Sequence, residues 1–131
     1  MTRYLLDTTV LIDVLRGRSA SERVRRLRAG GEDVPYMCVI NVEELIRGLR
    51  SGEENSINRL LDGLRLAPVA RAEAERAGTW RRAFGERGVT LSQADCLIAA
   101  AALGVGATLV TGNPKDFPMD EVVVEHWPVG E

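Results

Sequence analysis

Five short apolar runs, "RYLLD", "VPYMCVI", "RLAPVA", "ATLVTGN" and "EVVVEHW", recur along the chain, and stretches with helical spacing separate the first four. Runs of this length, rich in β-branched residues, are suited to buried strands. Strands that alternate with helices imply a parallel sheet covered on both faces. The pattern therefore predicts an α/β fold, a three-layer sandwich with a central, mostly parallel sheet of about five strands flanked by helices. The last run is expected at the edge.

The segments between the strands supply the outer layers. "VLIDVLRG" predicts a helix closed by Gly17, and "ASERVRRLRAGG" a short basic helix ending on paired glycines. Val42, Leu45, Ile46 and Leu49, then Ile57, Leu60, Leu61 and Leu64, recur at helical spacing and predict a helical hairpin. "RAEAERAGTWRRAFGERG" is expected to turn Ala74, Ala77, Trp80 and Phe84 inward, as core rather than as a stacking platform. "LSQADCLIAAAALGVG" is the most apolar helix and belongs in the centre.

With 131 residues, 45% of them hydrophobic, and no linker or repeat, the chain is expected to form a single domain over residues 1–131. Cys38 and Cys96 lie in separate apolar segments without a paired spacing, which predicts small buried thiols in a reducing compartment. No leader and no run long enough to span a bilayer is evident, so a cytoplasmic protein with no membrane partner is expected.

In such a sheet, ligands collect outside the carboxyl ends of the strands. Asp7 ends the first run, Asn41 and Glu44 follow the second, Asp95 opens the central helix, and Asn113 and Asp116 follow the fourth. Each has an ordinary alternative. Asn41 with Glu44, and Ser92 with Asp95, match capping boxes, and Asp7 is suited to a helix N-cap. "NPKDF" is suited to a simple turn. Cost favours a shared site, because several carboxylates in one crevice repel unless a cation compensates them. Magnesium or manganese fits an all-oxygen donor set, and such a centre can polarise a phosphodiester and activate water. His126, the sole histidine, falls in the edge strand, where a surface role is expected.

In order and spacing, these strings resemble the motifs of the PIN domain family, and within it the small VapC-type toxins. "LLDTTVLID" is similar to the opening motif, which implies Asp7 as a metal ligand and Thr8 as its supporting hydroxyl. "VEELIRG" selects Glu44 over Glu43 through Leu45 and Gly48, "ADCLIAAAAL" carries Asp95, and "LVTGNPKDF" carries Asp116 or Asn113 as the fourth site residue. Asn41 stands where serine or threonine is more usual. The resemblance implies a Mg2+- or Mn2+-dependent endoribonuclease, the toxin of a type II toxin–antitoxin pair. It also implies an RNA substrate, a VapB-like antitoxin partner and a homodimer.

A net charge of −2 argues against nucleic acid until its distribution is considered. "RGRSASERVRRLR" packs six arginines around one glutamate, so Arg16, Arg25 and Arg26 are candidates for the RNA backbone, a solvated helix face being the alternative. An aspartyl phosphatase is disfavoured because Thr9 stands where Asp-x-Asp needs its second acid, and a receiver domain because neither "VPYMCVI" nor "RLAPVA" ends on a phosphoacceptor aspartate. A catalytically silent docking module is the rival from another class. The leucines around Leu45, Leu49, Leu60 and Leu61 are suited either to ordinary core or to a dimer or antitoxin groove.

Overall fold

The computed structural model describes residues 1–130. Strand β1 (Arg3–Leu6) leads into α1 (Thr8–Leu15) and α2 (Ser21–Arg28); β2 (Val34–Cys38) into α3 (Val39–Arg47) and α4 (Glu54–Asp62). Then follow β3 (Arg65–Ala67), α5 (Arg71–Glu86), α6 (Gln93–Gly104), β4 (Thr108–Thr111), a 3-10 turn (Pro114–Asp116) and β5 (Val124–His126). The sheet runs β3-β2-β1-β4-β5, and every pairing is parallel. This is the expected sandwich. Among the described residues no helix is long and apolar enough to cross a membrane.

Neighbouring strand residues serve opposite layers, which explains why the runs are continuously apolar. Leu5, Cys38 and Leu109 enter one core with Ala77, Trp80 and Ile98 of the α5–α6 layer; Leu6, Met37 and Val110 enter the other with Val10, Leu11, Val24, Leu45, Ile57 and Leu60. In α6 both packed faces are filled, with Cys96 and Ile98 through Ala102 all buried. Alanines suit this position because a small side chain lets helix and sheet approach closely.

Several local expectations need correction. The second strand stops at Cys38, and Val39 and Ile40 already belong to α3. Ala74 is exposed, leaving Ala77 and Trp80 as the buried face of α5, with Phe84 half-buried. Helix α3 packs on α1, α6 and β2, and α4 on α1, more than the two pack on each other as a hairpin. Leu45 and Leu60 lie in the core, with Leu49 and Leu61 partly buried against it, which favours the ordinary-core alternative. As expected, Gly17 closes α1 in the left-handed region at φ 65°, the cysteines are free and buried, and His126 is exposed.

The strand order reverses at β1. Later strands are added on one side as β2 and β3 and on the other as β4 and β5, which makes the carboxyl ends of β1 and β4 the switch point where a crevice opens.

Candidate active site

Asp7 stands at that switch point. Its backbone N–H donates to Val110 O at 2.9 Å, and it takes the N-cap position of α1 with extended backbone. Its side chain makes no capping hydrogen bond of normal geometry, although the amides of Thr8 and Thr9 favour its charged form. Only 4% exposed, the carboxylate accepts at Oδ2 the hydroxyls of Thr9, at 2.9 Å, and Thr111, at 2.7 Å. Thr9 Oγ1 itself accepts Gly112 N–H at 3.0 Å, and Thr111 Oγ1 accepts Asn113 N–H at 3.0 Å. A hydroxyl carries one hydrogen, and an ionised carboxylate can only accept, so each threonine donates that hydrogen to Asp7 while its oxygen accepts a backbone N–H. Burial raises the Asp7 carboxyl above its ordinary range, and the Thr111 and Thr9 hydroxyls and nearby amides act against the rise.

Thr9 and Thr111 are missing from the residues expected from sequence. The sequence signal for Thr9 is its place beside Asp7, and for Thr111 its place at a strand end before "GN"; neither reveals the donor. Gly112 contributes by close approach, since an added Cβ would lie 2.5 Å from Val129 Cγ2.

The second strand exit presents Glu44. Because α3 starts at Val39, Asn41 is its third residue and not its cap, so the capping pair expected between Asn41 and Glu44 is not formed. Asn41 Oδ1 instead accepts Cys38 N–H at 2.8 Å, and its Nδ2 donates to Thr8 Oγ1 at 3.0 Å. Thr8 donates to Glu44 Oε1 at 2.6 Å. Ser92 does cap α6 as predicted, its Oγ accepting Asp95 N–H at 3.1 Å. Beyond β4, Asn113 Nδ2 donates to Asp116 Oδ2 at 2.9 Å, which joins the two candidates for the fourth position.

The four acids share one electrostatic field. Asp95 is pushed up to about 6, first by burial and then by the charges of Asp7, Asp116 and Glu44, with the Ser92 hydroxyl opposing. Repulsion at this range is what a bound cation relieves. Yet among the described residues no three His, Cys, Asp or Glu side chains are drawn together closely enough to hold an ion in this arrangement. The donor chemistry, carboxylate and hydroxyl oxygen throughout, matches a hard divalent ion.

The expected arginines are partly engaged. Arg16 pairs with Glu53 at 3.5 Å, and Arg25 and Arg26 both pair with Glu22 on their own helix. A cavity of about 450 Å3 between α1 and α2 is lined by Val14, Ser21, Val24, Arg25, Arg28 and Ala29. It contains no acid, so the strand-end crevice stands as the candidate site.

The PIN domain model matches residues 4–120, a span that includes all four acids. The chain belongs to the PIN domain family. Ribonuclease VapC10 of Mycobacterium tuberculosis is 36% identical over 118 residues, covering 89% of this chain and 87% of the relative. Among solved structures, VapBC-1 from nontypeable Haemophilus influenzae has a TM-score of 0.80 at 25% identity, covering 96% of this chain and 98% of the other. VapBC2 from Rickettsia felis, bound to a promoter DNA fragment, reaches 0.82 at 23% identity, covering 96% and 99%; it supports the fold of this PIN domain.

Proposed function

We propose that this PIN domain, taken as one unit over residues 1–131, is a Mg2+- or Mn2+-dependent endoribonuclease, the toxin of a type II pair held by a VapB-like antitoxin, and active as a homodimer. One observation carries the chemistry: Asp95, at the start of α6, is raised to about 6 first by burial and further by the charges of Asp7, Asp116 and Glu44, which come from three separate strand exits. The names of the relatives support the substrate class, since the protein similar over 89% of this chain is called a ribonuclease. The antitoxin is supported by the structural likeness to VapBC-1 of H. influenzae and to a toxin–antitoxin complex from Klebsiella pneumoniae.

In this reading Asp7, Glu44, Asp95 and Asp116 hold the ion. When bound, a hard divalent ion supplies Lewis-acid polarisation of the phosphodiester and a water of lowered pKa. The chain's own residues prepare for it. Thr9 and Thr111 fix one oxygen of Asp7, Thr8 fixes one oxygen of Glu44, and Asn113 fixes Asp116. Groups held this way need little reorganisation when charge arrives, which is the basis of electrostatic catalysis. No histidine takes part, because His126 is on the exposed edge strand.

The test is cleavage of RNA by purified protein, in EDTA and after adding Mg2+ or Mn2+, with Asp7→Asn and Asp95→Asn as controls of retained fold. Cleavage that needs metal and vanishes in both variants supports the proposal. Metal-independent cleavage, or equal activity in Asp7→Asn, rejects it.

A further inference from the structure

We infer that Asn41 is a positioning residue for Glu44, acting through the hydroxyl of Thr8; the inference rests on the metal-holding role proposed for Glu44. Asn41 is wholly buried, with 0% exposure, two residues into a helix whose exposed face it does not share. The orientation of its amide follows from its neighbours. Cys38 N–H is a donor at 2.8 Å and requires the carbonyl oxygen on its side, so the NH2 faces Thr8. Thr8 Oγ1 accepts that N–H at 3.0 Å, and its single hydrogen goes to Glu44 Oε1 at 2.6 Å, since an ionised carboxylate only accepts. The result is a one-way chain of donors from a backbone amide to one chosen oxygen of Glu44.

The same wiring serves Asp7, but with a difference. Thr9 and Thr111 take their incoming hydrogens from the backbone of Gly112 and Asn113, whereas Thr8 takes its hydrogen from a side chain. Glu44 is therefore the carboxylate whose orientation depends on the identity of a residue that touches neither it nor the reacting atoms. A serine or threonine at position 41 is too short to accept from Cys38 and also donate to Thr8 in this geometry, so asparagine does two jobs through its two ends.

A purely structural role makes a different demand. Holding Cys38 N–H requires only an acceptor, which aspartate also supplies; directing Thr8 requires a donor, which it lacks. Asn41→Asp separates the two. In the metal-free crystal structure of Asn41→Asp the Thr8–Glu44 hydrogen bond is expected to be lost while the Cys38 contact is kept, with a lower melting temperature because a carboxylate is buried. Mn2+ affinity, measured by calorimetry without RNA, is expected to fall about 10- to 100-fold. Thr8→Val should fall as far, Thr8→Ser should stay close to wild type, and Asn41→Asp should change nothing further once Thr8→Val is present. A retained Thr8–Glu44 bond in Asn41→Asp, wild-type affinity in that variant, or losses that multiply in the double variant would overturn the inference. If Asn41→Asp does not fold, equal affinity of Thr8→Val and Thr8→Ser overturns it and unequal affinity sustains it. Equal Mn2+ binding by wild type and Asp7→Asn instead marks failure of the metal reading, and the Thr8–Glu44 bond in the Asn41→Asp structure then decides the wiring alone.

Discussion

Thr111 donates a 2.7 Å hydrogen bond to Asp7 across 104 positions of sequence, at the point where the sheet reverses its order. The bond joins the ends of the two central strands, and it meets a carboxylate that is only 4% exposed. A buried acid without such donors would favour its neutral form and lose its hold on a cation.

Thr111→Val removes the donor while keeping the volume. Metal-dependent cleavage is expected to fall about 10- to 100-fold, and stability by about 1–3 kcal/mol, because Asp7 and Asn113 N–H each lose a partner. Cleavage kinetics beside a urea titration measure both; unchanged cleavage shows that Asp7 is positioned without Thr111.

Stability should depend on pH through Asp95. Its folded pKa is about 6 against an ordinary 3.8, so between those values the folded state binds a proton that the unfolded chain has released. Stability of the metal-free protein therefore falls as pH rises from about 4 to about 6, and the penalty is absent below that window. At about 1.4 kcal/mol per pKa unit the ceiling is about 3 kcal/mol, and partial access to solvent reduces it to roughly half. Urea midpoints across this range should drop in EDTA, recover with Mg2+, and lie flatter in Asp95→Asn. A midpoint that rises through the window contradicts the assignment.

Asp13 makes a contrasting case. It is 2% exposed, yet its carboxylate is spent on structure: Oδ2 accepts Ala20 N–H at 2.6 Å and Oδ1 accepts Gly130 N–H at 2.9 Å. It ties the start of α2 and the C-terminal tail to α1. Asp13→Ala is expected to cost about 2–4 kcal/mol, since it strands buried donors, and to leave metal affinity of the folded fraction intact. A loss of Mn2+ binding without a loss of stability would reverse this assignment.

The arginine cluster predicts a salt effect. Arg25 and Arg26 share Glu22 but remain exposed. Replacing both with glutamine should weaken RNA binding at low salt and flatten the logarithmic salt slope by up to about 1.4, the value for two phosphate contacts on a single strand. Identical binding at every salt concentration would make them an ordinary solvated face.

The order of strands and helices and the sandwich were legible in the linear chain because each is written locally. Apolar runs mark buried strands, helical spacing marks covering helices, and a parallel sheet puts every strand exit on one edge, which makes Asp7, Glu44 and Asp116 candidates at that edge, while Asp95 opens a helix that follows another helix. Boundaries were less legible: Val39 and Ile40 have strand-forming side chains, yet they begin α3 because tertiary packing overrides a weak propensity. The supporting donors were not legible at all. Thr9 and Thr111 acquire roles only when β1 and β4 lie side by side, and Asn41 only when Cys38 N–H dictates which end of its amide faces Thr8. Hydrogen-bond direction depends on where distant amides and hydroxyls come to rest, and that information exists only in the folded chain.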